Sequence, residues 1–194
     1  MGSSQSFSGN TSKDRDLVIL VGDRADRGRR ADDSSKCMLL IDDDLGCLEG
    51  IHSLLSLRLP DAHVYSAATV GAALALIRAQ DFDVVLSDVQ MLDMDGGSLI
   101  ADIKRTSPHT AVVLMTGNVN LLPNVLESGA LSFMRKPVDQ EYCVAALRHG
   151  VVYHSLSKAI HAHLPPEDRG PARAGLLRLA KAELAESRRR WISG

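Results

Sequence analysis

The sequence predicts an α/β protein built on a parallel sheet, and three observations carry the prediction. Five short apolar runs recur along residues 36–136, helix-spaced apolar residues fill the intervals between them, and the connections are short. The clearest run, Val84-Val85-Leu86-Ser87, lacks the apolar–polar alternation of a half-exposed strand. Such a run belongs to a strand covered on both faces, the usual condition in a parallel sheet.

The elements follow in order. Residues 1–35, rich in Ser, Asp, Arg and Gly, are expected to be a disordered N-terminal segment. Within it, Leu17-Val18-Ile19-Leu20-Val21 has β-like composition and suits an edge strand, a partner contact or a segment without a role. The first sheet strand is Cys37-Met38-Leu39-Leu40-Ile41. After Asp42-Asp43-Asp44, the residues Leu45, Leu48, Ile51, His52, Leu55 and Leu59 recur at helical spacing until Pro60-Asp61 stops them. The second strand is Ala62–Ala67, and Thr69 caps the helix that carries Val70, Ala73, Leu74 and Ile77. The third strand ends on Asp88. Asp95-Gly96 leads into the helix of Leu99, Ile100 and Ile103, which closes near Ser107-Pro108. The fourth strand, Ala111–Met115, ends on Thr116-Gly117. A short helix from about 121 to 128 is closed by Gly129. The fifth strand, Leu131–Arg135, ends on Lys136-Pro137, and Asp139 caps the helix of Tyr142, Val144, Ala145 and Leu147. Residues 36–150 therefore form one domain. Residues 151–194 read as a helical C-terminal extension: Val151, Val152, Leu156, Ile160 and Leu164 prolong the preceding helix, the Pro-rich stretch 165–171 breaks it, and a second helix follows over 172–191. Leu177, Ala180, Leu184 and Trp191 mark one stripe of that second helix.

The strand ends carry the chemistry. Asp42-Asp43 follow the first strand, Asp88 closes the third, Thr116 the fourth and Lys136 the fifth. Open parallel sheets place their working groups at the carboxyl ends of the strands. With the first and third strands side by side, Asp42, Asp43 and Asp88 converge. Like charges at close range raise each other's pKa, and a hard divalent cation such as Mg²⁺, which takes oxygen ligands, relieves them. A hydroxyl and an ammonium are the donors that hold phosphoryl oxygens opposite such a cation.

On that ordered set, residues 36–150, roughly three-fifths of the chain, resemble the receiver domain of two-component response regulators. The family pattern is an acid pair after the first strand, a phospho-accepting Asp after the third, Thr or Ser after the fourth and Lys-Pro after the fifth. The resemblance implies a five-stranded, flavodoxin-like (βα)5 sheet of order 2-1-3-4-5. It implies phosphorylation of Asp88 by a sensor histidine kinase or a phosphotransfer protein. Mg²⁺ would be bound by Asp43, Asp88 and the main-chain carbonyl of Gln90, and by Asp42 through a water. Thr116 and Lys136 would bind phosphoryl oxygens, Phe133 would be the aromatic switch, and Gln90 and Asn118 would tune phosphoryl lifetime. The Lys-Pro bond is often cis in the family. One departure is Met91-Leu92 where the family often has Met-Pro; it loosens the loop after Asp88 without touching the chemistry.

Composition bounds the alternatives. The chain has 194 residues, formal net charge −2 and 45% hydrophobic content. No apolar run approaches the roughly 18 residues of a membrane span, and the first residues lack the basic-then-apolar pattern of a secretory signal, so a cytoplasmic location and no membrane contact are expected. Cys37, Cys47 and Cys143 form no Cys-x-x-Cys pair and read as small buried thiols. His149, His154, His161 and His163 read as ordinary surface histidines rather than metal ligands or phosphorelay sites. The extension is basic at Arg188-Arg189-Arg190-Trp191, which complements a helix C-terminus. It is too short for a winged-helix or full LuxR-type domain, so nucleic acid is not an expected partner; a downstream protein or a second copy of the chain is. The expectation is a signalling phospho-acceptor rather than a turnover enzyme. Two other readings are a DNA-binding regulator with its output in residues 151–194, and a Mg²⁺-dependent aspartyl-phosphate phosphatase. The latter's Asp-x-Asp-x-Thr motif is missing from Asp88-Val89-Gln90-Met91-Leu92.

Overall fold

The structure, a computed structural model, describes residues 19–21, 36–91, 98–118 and 129–192. The strands are β1 (Ile19–Val21), β2 (Lys36–Ile41), β3 (Ala62–Ala67), β4 (Val84–Asp88), β5 (Ala111–Thr116) and β6 (Ser132–Arg135). The helices are α1 (Leu45–Arg58), α2 (Val70–Ala79), α3 (Ser98–Thr106), α4 (Gln140–His163) and α5 (Pro166–Ile192), with a 3₁₀ turn at Val89–Met91. The helix expected over 121–128 lies outside the described residues, as do Leu92 and Asp95-Gly96. Gly129, just beyond, has φ of 83°, the left-handed conformation that glycine adopts without strain.

β3-β2-β4-β5-β6 pair in parallel, which is the expected order 2-1-3-4-5. The register brings the carboxyl ends level: Ile41 pairs with Ser87, Asp88 with Met115, and Thr116 with Arg135. One correction concerns the N-terminal segment expected to be disordered. Ile19–Val21 forms a strand antiparallel to β3, with Ile19 opposite Ala67. An apolar triplet with β-branched Ile19 and Val21 is what an open sheet edge will accept as an added strand.

Both faces of the sheet are covered, which explains the unbroken apolar runs. Every residue of β4 and β5 is buried. On one face Met38, Leu40, Val84, Leu86, Val113 and Met115 pack under α1 and α4. On the other, Leu39, Ile41, Val85, Val112 and Leu114 pack under α2 and α3. Each such side chain contributes about 1.5–3 kcal/mol of apolar burial. The expected caps are present: Thr69 accepts from the Ala72 N–H, and Asp139 from the Tyr142 N–H. Asp44 caps α1 through the Gly46 and Cys47 N–H groups.

The C-terminal extension is corrected in two respects. The boundary at 150 falls inside α4, which runs unbroken to His163. Gly150 lies against the start of β4 and β5, where a Cβ would stand 2.7 Å from Val84 Cγ2. Residues 151–163 therefore reach about 20 Å past the sheet at helical rise. Secondly, α5 begins at Pro166 rather than at 172. The break between the two helices holds, with α4 capped at Leu164, but a proline in the first helical turn has no N–H to lose and a φ already suited to the helix, so the Pro-rich stretch also starts α5, with Pro171 inside. α5 returns along α4: Leu184 is 1% exposed in the same core as the sheet, Leu176, Leu177 and Ala180 pack beside it, and Glu183 lies 3.7 Å from His149. The side chain of Trp191 is not among those described. Among the described residues, no helix is long and apolar enough to cross a membrane.

Candidate functional site at the carboxyl edge of the sheet

The acid triplet after β2 divides into three environments. Asp42 is fully buried, and its N–H donates to the Ala67 carbonyl at 3.2 Å, which fixes the strand end against β3. Its Oδ1 accepts the Asp44 N–H at 3.0 Å, and its Oδ2 accepts from Lys136 Nζ at 2.6 Å. Asp43 is exposed at the rim. Asp44 turns away and is used as the α1 cap, accepting from the Gly46 N–H at 2.9 Å and the Cys47 N–H at 3.2 Å.

Asp88, 2% exposed, meets this group from β4. Its Oδ1 accepts the Gln90 N–H at 2.9 Å, and its Oδ2 accepts from Lys136 Nζ at 2.5 Å. Asp42, Asp43 and Asp88 each offer a carboxylate oxygen, and these oxygens lie within 4.8 Å of one another. Lys136 therefore bridges two buried carboxylates. Burial alone draws its ammonium pKa down, but the hydrogen bonds to Asp42 and Asp88 and their charges outweigh it and raise the pKa above the ordinary lysine value. The group stays an ammonium throughout the neutral range.

Thr116 is fully buried at the end of β5, one residue past the position paired with Asp88. Its hydroxyl meets the Asn118 N–H at 3.0 Å and donates to the Asn118 carbonyl at 3.1 Å. Its own carbonyl accepts the Lys136 N–H at 2.9 Å, which ties the two strand ends together. The Lys136–Pro137 bond is cis. Phe133 is half-buried against the α2–α3 face, Gln90 and Asn118 are exposed, and all the predicted site positions lie at or beside the same edge.

Two participants escaped the sequence reading. Asp44 is a helix cap, and the signal was available, since Asp immediately before a helix start is a favoured N-cap. Cys47, one turn into α1, lies against Asp42, and burial followed by that hydrogen bond pushes its thiol up to about 12. Nothing in its spacing announced the contact. The acid cluster itself fits a hard divalent cation: three oxygen donors, one of them exposed at the rim, and no nitrogen or sulfur ligand among them.

The sequence model of the response regulator receiver domain matches residues 38–148. The chain belongs to that family, the phospho-signalling modules of two-component systems. Its curated relatives include the transcriptional regulatory protein GlrR of Escherichia coli K12, 30% identical over 135 residues that make up 68% of this chain and 28% of the relative. ZraR of the same organism is 34% identical over 61% of this chain and 27% of its own length. The chain thus spans little more than a quarter of these relatives. Among solved structures, a CheY-like receiver domain protein from Methanospirillum hungatei JF-1 superposes with a TM-score of 0.57 at 27% identity, covering 63% of this chain and 98% of that one.

Proposed function

We propose that Asp88 is the phospho-acceptor of a phosphorelay and that the observation carrying this reading is Lys136 Nζ, hydrogen-bonded at once to Asp88 and Asp42. An ammonium held there compensates the acid cluster at rest and is already beside the carboxylate on which phosphoryl charge would develop. In the transfer, an Asp88 carboxylate oxygen forms a bond to phosphorus while the P–N bond of a phosphohistidine on a sensor kinase or phosphotransfer protein breaks and the imidazole leaves. Lys136 and the Thr116 hydroxyl donate to the phosphoryl oxygens. Asp43, Asp88 and the Gln90 carbonyl would hold Mg²⁺, with Asp42 acting through a water, and the ion would supply positive charge opposite the transferred group. Gln90 and Asn118 flank the site and set access of water to the acyl phosphate.

Phosphorylation draws Thr116 away from Asn118 and Phe133 inward, and the changed surface is read by a downstream protein, through residues 151–194, or by a second copy of the chain. The protein acts in the cytoplasm, where its kinase partner is charged with phosphate, and turns over no external substrate. The DNA-binding reading gains only the description of the relatives as transcriptional regulators. Incubation with acetyl phosphate and Mg²⁺ should add one phosphate, detected by intact mass, and D88N should remain unlabelled. Equal labelling of D88N would exclude this assignment, and labelling that survives chelation would exclude the metal role.

A further inference from the structure

The return of α5 along α4 leaves an apolar seam on the side of this helical hairpin that faces away from the sheet. His149 of α4 and Glu183 of α5, 3.7 Å apart, set the antiparallel register. Toward the connecting loop, Val152 and Leu156 stand one and two helical turns from His149, and Leu179 stands one turn from Glu183. They are 56%, 46% and 67% exposed. Of the five large hydrophobic side chains left exposed among the described residues, these three therefore gather on one flank, with the half-buried Leu176 beside them. The other side of the hairpin is taken: Tyr153, His154 and Ser157 of α4 are buried, and Leu177, Ala180 and Leu184 of α5 pack with the core.

Both helices carry the seam on a 3–4 repeat, the spacing by which helices pack side by side at a small crossing angle. In α4 it runs His149, Val152, Leu156, Ala159, His163, and in α5 it runs Ala172, Leu176, Leu179, Glu183. The ends of the seam differ between the two helices. On α4 they are donors: the exposed guanidinium of Arg148, which touches the Arg58 carbonyl with one nitrogen at 3.5 Å, and the ring N–H groups of His149 and His163. On α5 they are carboxylates, exposed Glu183 at one end and exposed Asp168 at the other. The register places Glu183 level with His149, and hence Asp168 level with His163.

We propose that this face binds a second copy of the chain, so that two α4–α5 hairpins close into a four-helix bundle about a two-fold axis parallel to the helices. That axis lays α4 of one copy over α5 of the other at the same level. Leu176 and Leu179 then meet Val152 and Leu156, Glu183 meets Arg148 and His149, and Asp168 meets His163, and every such contact is made twice. A two-fold axis across the helices would set α5 on α5 end to end and bring Glu183 against Asp168, which like charge disfavours. A nucleic acid or an anionic membrane would meet the carboxylates of α5 with its own negative charge. The seam lies past the amino ends of β4 and β5, where Gly150 touches Val84 and Ala111, so the interface goes beyond the phosphoryl chemistry and does not depend on Asp88.

The test is sedimentation velocity of the full chain from micromolar to near-millimolar concentration, where the wild type should show a monomer–dimer equilibrium. L156D/L179D should weaken association by about a hundredfold or more, because each copy loses two apolar contacts. Both positions are exposed within one chain, so its circular dichroism and denaturation midpoint should stay those of the wild type. Charge exchange supplies a second readout: E183R should weaken the dimer by about fivefold, and R148E/E183R should restore it. D88N should dimerise as the wild type does. A wild type that stays monomeric throughout would overturn the proposal and leave the face to another protein. Undiminished association of L156D/L179D, an E183R dimer that R148E fails to rescue, or loss of the dimer in D88N would also overturn it.

Discussion

At the scale of single residues, Lys136 performs the task that the proposed Mg²⁺ would share, the compensation of buried carboxylates. Replacing Lys136 with Met keeps the stem and removes the charge, which leaves Asp42 and Asp88 uncompensated at a cost of about 2 kcal/mol, below the usual range for a fully buried pair because Lys136 is 24% exposed. The ion should then stabilise K136M more than the wild type, and thermal melts with and without Mg²⁺ measure the difference. A Mg²⁺ response equal in the two proteins would contradict shared compensation. Lys104 gives the complementary case. Its folded pKa, about 8, lies below that of the unfolded chain, near 10.4. Between those values the unfolded chain binds more protons, so this group makes stability rise with pH across that window; below pH 8 its cost is fully present. The slope of unfolding free energy between about pH 8 and 10 should therefore flatten in K104M, as urea titrations at stepped pH would show. A slope unchanged by the substitution would count against the burial of that ammonium.

The elements were legible where local pattern and tertiary setting agree. The apolar runs of β2, β4, β5 and β6, the caps Thr69 and Asp139 and the ordered acids at the strand ends all follow from neighbours in sequence. α5 was misplaced at its start because a proline cluster signals a break or an opening turn equally well, and only the partner helix decides between them. β1 was readable as a candidate edge strand, but not which of its three readings holds, since Ile19 pairs with Ala67, far away in sequence. Lys136 was readable as a candidate site residue from its Lys-Pro position; that it bridges Asp42 and Asp88 depends on residues 94 and 48 positions away in sequence meeting it at one edge. Gly150 had no reading at all from sequence. α4 touches the sheet there so closely that a Cβ would be 2.7 Å from Val84 Cγ2 and 3.3 Å from Ala111 Cβ. G150A should destabilise by about 1–3 kcal/mol despite the better helix propensity of Ala, because β-strand and helix must part to admit the methyl. Chemical denaturation decides it: a stabilised G150A would mean that α4 sits farther from the sheet.

For the whole molecule, the receiver and its extension share one core rather than meeting at a joint. α4 crosses residue 150 without interruption, Tyr153, His154 and Ser157 are buried beyond it, and Leu184 of α5 is 1% exposed. L184A should therefore cost about 2–5 kcal/mol, the range for a buried leucine truncated in a packed core. A chain ending at 150 should lose more, since it strips that face of α4 and leaves the helix end frayed. The proposed phospho-site lies at the other edge, held by β2, β4, β5 and Lys136, so on that reading L184A should accept one phosphate from acetyl phosphate at the wild-type rate. Stability and labelling measured on the same samples separate the two roles. A chain ending at 150 that unfolds at the same denaturant concentration as the full protein would make the extension a passenger, and a labelling rate that falls with L184A would make it part of the phospho-site.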